Sequence, residues 1–497
     1  MRDRTPSAKA GRKNVRRKAR EPDVRLRHAL KLHQAGRLQE AIKAYRRILA
    51  VDPGSVQART YCGAALLDRQ RTDEAAQILQ MAVSMDPNNV DALCYLGNAQ
   101  QETGKLEAAE KNYRRALAIR PNFARAHNNL GVLLNKLGRK DDAAACFRQA
   151  AEIEPRYAQA YNNLSEVLLE LGEPDKAIAA ARRAIEIDPR YAEAANSYGA
   201  ALRIAGRIDE AIAAYQRALS LRPRFLFALN NLAVALIIAG RPGEALEASE
   251  RALEIDPGSV SALASKAVAL SELGNREALE VLVDFDRHIH TRVVDPGEGF
   301  ADLAEFNSAL AGHVCSHPTL VYEKPHTSTR KGRHTGDLLR EPKGPIATLE
   351  ILIHNAVEDY LRALPAGSKH PIAAAAPKNW QLSVWSVVLE GAGHQIPHIH
   401  ESGWLSGVYY AKVPEAVSTS PDKAAGWIEF GRPLDLYGAK PPPEVRLIQP
   451  REGLMVLFPS YFFHGTIPTG CQDTRVSIAF DVIDKDRFDP FGALKVR

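Results

Sequence analysis

A group of histidines in the last quarter of the sequence carries the side chains best suited to chemistry. His394, His398 and His400 fall within seven residues, Glu401 follows directly, and His464 comes 64 residues after His400. Imidazole nitrogens and carboxylate oxygens at such short spacing are ligands for divalent transition metals. We expect His394 to be a loop histidine, so the pattern predicts a metal centre built around His398 and His464.

The residues after His398 leave the third ligand open. In non-haem Fe(II) oxygenases a histidine, an acid two residues later and a distant histidine hold iron on one face and leave three positions open. Here His400 stands at the place of the acid. His400 could coordinate, Glu401 could swing in, or water could complete the site.

Backbone geometry favours one of these ligands. In an extended strand, side chains at positions 398 and 400 share a face, whereas 399 and 401 lie on the opposite face. If His398 binds iron, His400 is therefore directed at the metal. Glu401 would qualify only if the chain bends sharply at Ser402 and Gly403. We expect His400 to take the place of the carboxylate.

A cation follows the distant histidine at a useful spacing. Arg475 comes eleven residues after His464, in the run Arg475-Val476-Ser477. This spacing predicts that the next strand brings the guanidinium beside the metal, where it can grip a carboxylate through two parallel hydrogen bonds. Taken alone, Arg475 could also be a strand residue paired with Glu429 or Asp481.

Short secondary-structure elements must position these side chains. Residues 345–362 show helical spacing of apolar side chains, and residues 381–389 alternate as a strand. Further strand-like runs with Gly and Pro turns occupy residues 406–411, 426–430, 445–448, 453–458 and 475–482. A helix followed by many short strands predicts an α+β domain with a jelly-roll core.

As a composite, this region resembles the 2-oxoglutarate/Fe(II)-dependent oxygenases, most closely a bacterial and phage branch. The resemblance spans about residues 282–485 and implies a double-stranded β-helix with Fe(II) and 2-oxoglutarate as cofactors and O₂ as co-substrate. Its motifs are His398-Ile399-His400, Ser406-Gly407-Val408-Tyr409-Tyr410, Phe458-Pro459-Ser460, His464 and Arg475-Val476-Ser477.

The resemblance also implies roles for individual residues. His398 and His464 would ligate iron, with His400 as the candidate third ligand. Arg475 and Ser477 would bind the distal carboxylate of 2-oxoglutarate, and Tyr409 would belong to the cofactor pocket. In such domains, the aromatic residues Trp404, Trp427, Tyr409 and Tyr410 more often form barrel core than a platform for substrate.

The first half of the sequence has an exact internal period. Seven prolines follow one another at a spacing of 34 residues. They are Pro53, Pro87, Pro121, Pro155, Pro189, Pro223 and Pro257. Small residues recur in register with them, at Ala41 and Gly63 for example. The pattern resembles the tetratricopeptide (TPR) family. It implies an α-solenoid of helical hairpins, with seven full repeats and a weaker eighth, stacked into a superhelix whose groove binds a protein or peptide.

Asparagines recur within this period. The pair Asn128-Asn129 returns at Asn162-Asn163 and at Asn230-Asn231. In similar superhelices the second asparagine hydrogen-bonds an extended peptide, which implicates Asn129, Asn163 and Asn231. Alternatively, these side chains cap or bridge neighbouring helices.

Charge and cysteine content narrow the function classes. The formal net charge is +6, and residues 1–20 contain nine Lys or Arg against Asp3 alone, so the remainder is nearly neutral. We expect this tail to be a solvated extension, and nucleic acid could be a partner only through it. Five scattered cysteines without CxxC spacing argue against a disulfide framework or structural zinc. Without a signal-like or membrane-spanning run, we expect a cytoplasmic protein with no membrane partner.

These patterns predict three segments: a basic tail over residues 1–21, a TPR superhelix over 22–275, and an oxygenase-like domain over 276–497. The favoured function is a 2-oxoglutarate-dependent dioxygenase that hydroxylates a protein or peptide recruited by the groove. The alternative is a TPR scaffold with a metal-cupin domain that acts on a small molecule or is catalytically inactive. Arg475 favours the oxygenase, because simple cupins usually have a fourth histidine instead.

Overall fold

The chain forms two compact units, one up to residue 206 and one from residue 207 onward. The computed structural model describes residues 24–323, 328–340, 342–365, 367–368, 370–419, 424–434, 444–470 and 472–487. The basic tail and Cys471 lie outside these residues. The predicted segment boundaries, at 21/22 and 275/276, remain predictions.

The first unit is a series of antiparallel helices. Equivalent helices recur with a spacing of 34 residues. The first helices of successive repeats begin at Val56, Val90, Ala124, Ala158 and Ala192. The helices are α1 (24–34), α2 (Leu38–Val51), α3 (Val56–Asp68), α4 (Thr72–Met85), α5 (Val90–Glu102), α6 (Leu106–Ile119), α7 (Ala124–Lys136), α8 (Lys140–Ile153), α9 (Ala158–Glu170), α10 (Pro174–Ile187) and α11 (Ala192–Ile204).

Small residues allow the two helices of a repeat to approach closely. Gly97 in α5 lies under the ring of Tyr113 in α6, and a Cβ at this position would come within 2.5 Å of that ring. Gly131 faces Phe147 in the same way, since a Cβ there would lie 2.7 Å from the Phe147 ring. In most repeats the first helix is followed by a glycine with positive φ, such as Gly104 at 76°, a conformation that glycine adopts without strain. The TPR fold predicted from the proline period is thereby confirmed.

The second unit begins with further helices and continues into β-structure. α16 has 7 residues, whereas the corresponding α14 has 14, so the helical series ends with a shortened hairpin. No helix in the described part of the chain is long and apolar enough to cross a membrane. The helices of this unit are α12 (Ile208–Leu221), α13 (Leu226–Ile238), α14 (Pro242–Ile255), α15 (Val260–Glu272), α16 (Arg276–Leu282), α17 (Phe285–His288), α18 (Leu303–Cys315), α19 (Ile346–Ala363), α20 (Pro371–Ala374) and α21 (Glu415–Thr419).

Two antiparallel sheets follow. The larger has the strand order β1-β8-β5-β10-β4-β3-β2, and the smaller has the order β7-β6-β9. This arrangement agrees with the predicted jelly roll. The strands are β1 (His290–Val293), β2 (Val321–Tyr322), β3 (Thr329–His334), β4 (Trp380–Gln395), β5 (Leu405–Lys412), β6 (Ile428–Phe430), β7 (Arg446–Ile448), β8 (Leu454–Pro459), β9 (His464–Thr466) and β10 (Arg475–Asp484).

Strict alternation gives the larger sheet two different faces. On β5, Leu405 and Tyr409 belong to a buried core, whereas Val408 and Tyr410 line a cavity on the other face. Helices α18 and α19 cover the core face with side chains such as Phe306. The other face, together with β6 and β9, encloses the cavity that holds the histidines.

Candidate metal centre

Three histidines from two parts of the chain converge in this cavity. His398, His400 and His464 each present a ring nitrogen, and these atoms lie within 4.8 Å of one another. The backbones of His398 and His464 pair with each other, with N–H···O distances of 2.9 and 3.0 Å. This isolated β-bridge therefore sets the spacing of the two rings.

Hydrogen bonds fix the orientation of all three rings. Each Nδ1 faces an acceptor, so the proton of the neutral ring sits on Nδ1 and the Nε2 lone pair points at the shared centre. The acceptors are the Ile396 carbonyl at 2.9 Å from His398, the Phe462 carbonyl at 3.0 Å from His464, and the Asp481 carboxylate at 2.5 Å from His400. This is the arrangement that metal-binding histidines require.

Burial keeps two of these rings neutral. It lowers the pKa of His398 to about 3, and the neighbouring His400 contributes to the same shift. Burial also lowers the pKa of His464 well below its ordinary value, with His398 as the next cause. Both rings are therefore unprotonated near pH 7, and their Nε2 lone pairs are available to a cation.

Glu401 and His394 lie outside this cluster. The Glu401 side chain is exposed and accepts a hydrogen bond of 3.1 Å from the Ser261 hydroxyl in α15. His394 belongs to the end of β4 instead of a loop, and its Nδ1 lies 3.1 Å from the Ala392 carbonyl. His400, and not Glu401, therefore lies beside His398, although residues 398–401 form an isolated bridge and a turn instead of a regular strand.

Arg475 lines the same cavity, whose volume is about 290 Å³. Its side chain is buried, lies 4.9 Å from the centre of the Tyr410 ring, and donates a 2.6 Å hydrogen bond to the Gly426 carbonyl. Burial lowers the pKa of the guanidinium. The arginine side chain nevertheless stays protonated. Among the described residues no carboxylate pairs with Arg475, and its Nε–H has no hydrogen-bond partner. A buried cation of this kind can bind an anionic group.

The two predicted partners of Arg475 are engaged elsewhere. Glu429 accepts a 2.6 Å hydrogen bond from Arg432, and Asp481 accepts from His400. Ser477 lies on the cavity side of β10 and donates a 3.2 Å hydrogen bond to the Val387 carbonyl. The alternative role of Arg475, as half of a strand ion pair, therefore does not apply.

The assignment of Tyr409 to the cofactor pocket requires correction. Tyr409 is fully buried on the core face of β5, and its hydroxyl donates to the side chain of Asn307 in α18. The next residue, Tyr410, is the one that lines the cavity. The two tyrosines are adjacent and therefore face opposite sides of the strand, a distinction that the motif alone does not make.

Comparison with known families agrees with this arrangement. Residues 383–481 match the sequence model of the family described as "Putative 2OG-Fe(II) oxygenase". Residues 32–94, 122–190 and 190–258 match models of the tetratricopeptide repeat. The chain therefore joins TPR repeats to a domain that matches a 2-oxoglutarate/Fe(II) oxygenase family over residues 383–481. No curated protein matches its sequence.

Solved structures align with parts of the TPR–oxygenase fusion. PilF of Pseudomonas aeruginosa is 22% identical over 42% of this chain and 94% of its own, with a TM-score of 0.38. TTC0263, a thermophilic TPR protein of Thermus thermophilus, is 26% identical over 37% of this chain and 100% of its own, with a TM-score of 0.33. YrrB, a TPR protein with an unusual peptide-binding site, is 24% identical over 38% and 98% of the two chains, with a TM-score of 0.33.

The oxygenase domain has cavity residues that sequence reasoning missed. The Trp385 ring lies 5.5 Å from the His400 ring, and His334 is stacked parallel to Trp385 at 6.2 Å. The sequence indicates Asp481 only as a possible partner of Arg475. Alternation along β10 from Arg475 and Ser477 to Asp481 is the signal that would have placed this carboxylate on the same side of the strand, where it accepts a hydrogen bond from His400.

The asparagines of the TPR repeats bridge neighbouring repeats. The Asn129 amide donates a 2.8 Å hydrogen bond to Asn98, and the Asn163 amide donates a 3.0 Å hydrogen bond to Asn128. Both donors are partly exposed, as is Asn231. Bridging, the alternative role considered for these residues, is therefore present for Asn129 and Asn163, and peptide binding would have to share or replace these bonds.

Proposed function

We propose that this protein is an Fe(II)- and 2-oxoglutarate-dependent oxygenase that hydroxylates a protein or peptide recruited by its TPR repeats. The observation that carries the proposal is the combination, in one cavity, of three converging Nε2 atoms with a buried guanidinium that no carboxylate among the described residues neutralises. Three histidines alone would suit several metals. The adjacent cation adds a site for a carboxylate, which a cosubstrate diacid would provide.

The three histidines fit an iron ion by their chemistry. Imidazole suits Fe(II), and three protein ligands on one side leave positions for other molecules. His398, His400 and His464 would hold the metal, each kept in the correct tautomer by the acceptor behind it. With Fe(II) bound, the overall reaction consumes 2-oxoglutarate, O₂ and a substrate C–H bond, and yields succinate, CO₂ and a hydroxylated product.

The part of the cavity beside Arg475 fits the distal carboxylate of 2-oxoglutarate. Arg475 can offer its free Nε–H together with a second N–H in the planar fork that matches a carboxylate. The Gly426 carbonyl holds the guanidinium in place, and the Tyr410 ring packs against it. Ser477, on the same strand face, would supply a further hydroxyl. Burial of this site would exclude water from the bound diacid.

The TPR repeats support a macromolecular substrate. Repeat grooves bind extended segments of other proteins, and tethering a target to the same chain as the catalytic cavity raises its effective concentration. Asn129 and Asn163 are accessible enough to exchange their present hydrogen bonds for bonds to a peptide backbone. This part of the proposal rests on the joining of the two kinds of domain.

The direct test is conversion of 2-oxoglutarate to succinate by the full-length protein, measured by mass spectrometry with and without Fe(II) and O₂. We expect slow turnover even without substrate, and its complete loss in His464→Ala. His394→Ala is the matched control, because His394 is near the cluster in sequence but is not part of it. A preparation loaded with iron that forms no succinate would refute the oxygenase assignment.

A second measurement tests the substrate class. Proteins cross-linked to the full-length chain would be digested and searched for peptides that gain one oxygen atom only when 2-oxoglutarate is supplied. We expect such peptides with the unmodified protein and none with His464→Ala. Oxygen incorporation into a small molecule instead, with no modified peptide, would contradict the protein-substrate proposal and leave the oxygenase assignment standing.

A further inference from the structure

One of the three histidines differs from the others in what stands behind it. The Nδ1 protons of His398 and His464 are donated to neutral backbone carbonyls, whereas His400 donates to the carboxylate of Asp481 at 2.5 Å. His400 is also the residue at the place where the facial triad has its acid. We infer that Asp481 supplies, through His400, the negative charge that a carboxylate ligand at position 400 would supply directly. This inference rests on the proposed metal binding.

Within the part of the chain that the structure describes, His400 is the one basic side chain that pairs with Asp481. The Asp481 side chain is buried, and among the described residues neither lysine nor arginine forms an ion pair with it. Its remaining partner is the neutral Ser406 hydroxyl, which donates to the same carboxylate oxygen at 2.6 Å. An ionised carboxylate in such surroundings is costly unless a positive charge lies close by. A metal cation bound to Nε2 of His400 would provide that charge.

The surroundings of the carboxylate are built to hold it in this position. The Ser406 hydroxyl is also 2.8 Å from the Ser460 hydroxyl, and both serines are fully buried. Gly403 leaves the necessary room, since a Cβ there would lie 2.5 Å from Ser460 Oγ and 3.2 Å from the Asp481 carboxylate. The Asp481 side chain therefore has one orientation, and that orientation is directed at His400.

A carboxylate behind an imidazole has two effects on a metal. It fixes the ring and its tautomer, and it raises the basicity of the Nε2 that faces the ion. A neutral hydrogen-bond acceptor would preserve the first effect and weaken the second. Asp481 is accordingly a positioning residue that also adjusts charge, and the two contributions can be separated by substitution.

The test is anaerobic titration of the metal-free full-length protein with Co(II), followed through the visible absorption of the bound ion. Asp481→Asn keeps the shape and an oxygen acceptor but removes the charge, and we expect it to weaken Co(II) binding by about 10- to 100-fold. Asp481→Glu retains the charge and should recover part of that loss. Ser406→Ala, which leaves the charge in place, should have a smaller effect than Asp481→Asn.

A double substitution separates charge from structure. In His400→Asp, the new carboxylate would itself supply the negative charge, and Asp481 would no longer act through an imidazole. Adding Asp481→Asn to His400→Asp should therefore weaken Co(II) binding less than Asp481→Asn does in the unmodified protein. Thermal unfolding of each metal-free variant shows whether it is folded.

The outcomes are distinct. An Asp481→Asn protein that binds Co(II) as tightly as the unmodified protein would overturn the inference. Equal weakening by Asp481→Asn in the unmodified protein and in the His400→Asp variant would also overturn it, because a purely structural role predicts the same effect whether or not His400 is present. If the unmodified protein itself failed to bind Co(II) or Fe(II), the proposed metal centre would fail, and the role of Asp481 with it.

Discussion

The repeats and the sheet around the histidines bring their polar side chains together in different ways. In the repeats, Asn163 bonds to Asn128, which is 35 residues earlier in the chain, and Asn129 bonds to Asn98 at a separation of 31. The hydrogen bond between His400 and Asp481 spans 81 residues. The repeats thus use the same kind of hydrogen bond between neighbouring repeats more than once, whereas the candidate metal centre depends on strand pairings that occur once.

This difference predicts how each region responds to damage. A repeat contacts mainly its neighbours, so a lost contact should remain local. In the oxygenase domain, β10 pairs with both β4 and β5 and also carries Arg475 and Ser477. A displaced strand there should move several cavity residues at once. Substitutions of the same chemical kind in the two regions can test the contrast.

The largest expected contrast comes from two glycines. A Cβ on Gly407 of β5 would collide with the Phe480 ring of β10, and a Cβ on Gly97 would come within 2.5 Å of the Tyr113 ring. We expect either glycine-to-alanine substitution to lower the free energy of unfolding by about 1–3 kcal/mol, as overpacking does. Only Gly407→Ala should also reduce formation of succinate, measured alongside chemical denaturation.

Gly97→Ala is thus the matched control for Gly407→Ala. If both variants lost stability but kept full turnover, the sheet would tolerate displacement as well as the repeats do, and the contrast would be wrong. Loss of turnover in Gly97→Ala would show instead that the repeats and the active site are energetically coupled.

A smaller effect is expected from the asparagines. Replacing Asn129, Asn163 and Asn231 together by alanine should weaken capture of a protein target and leave substrate-independent turnover unchanged. Each lost hydrogen bond should cost on the order of 1 kcal/mol. Capture can be measured by quantitative cross-linking of the full-length protein, with Asn122→Ala, at an exposed position, as the control.

The bridging hydrogen bonds provide the alternative outcome. Asn129 and Asn163 already bond to neighbouring repeats, so their loss should also lower the melting temperature of the repeats. A lower melting temperature with unchanged capture would assign these asparagines a structural role alone.

The same contrast explains what could be predicted from the sequence. The proline period indicated the TPR fold because the same sequence pattern recurs every 34 residues. In the oxygenase domain, local patterns were also informative: the helix predicted over 345–362 is α19, and the strand predicted over 381–389 is the N-terminal part of β4. Both observations depend only on neighbouring residues.

What the sequence did not show depends on long-range pairing. The short strands β1 and β9 have too few residues to display a period, and they exist because β8 and β6 lie beside them. The role that we infer for Asp481 requires the register of β10 against β5, which brings Ser406 opposite Asp481. The sequence indicated Tyr409 instead of Tyr410 for the same reason, because only the packed sheet shows which face of β5 lines the cavity.

The central claim is that the histidines and Arg475 form one site for Fe(II) and 2-oxoglutarate. Anaerobic equilibrium dialysis of 2-oxoglutarate against the full-length protein, with and without Fe(II), measures this most directly. We predict tight binding only when Fe(II) is present. Arg475→Ala should weaken it by about two orders of magnitude or more, since removing one partner of a buried charge pair costs roughly 3–5 kcal/mol. Equal binding of 2-oxoglutarate without Fe(II), or unchanged affinity in Arg475→Ala, would contradict the claim.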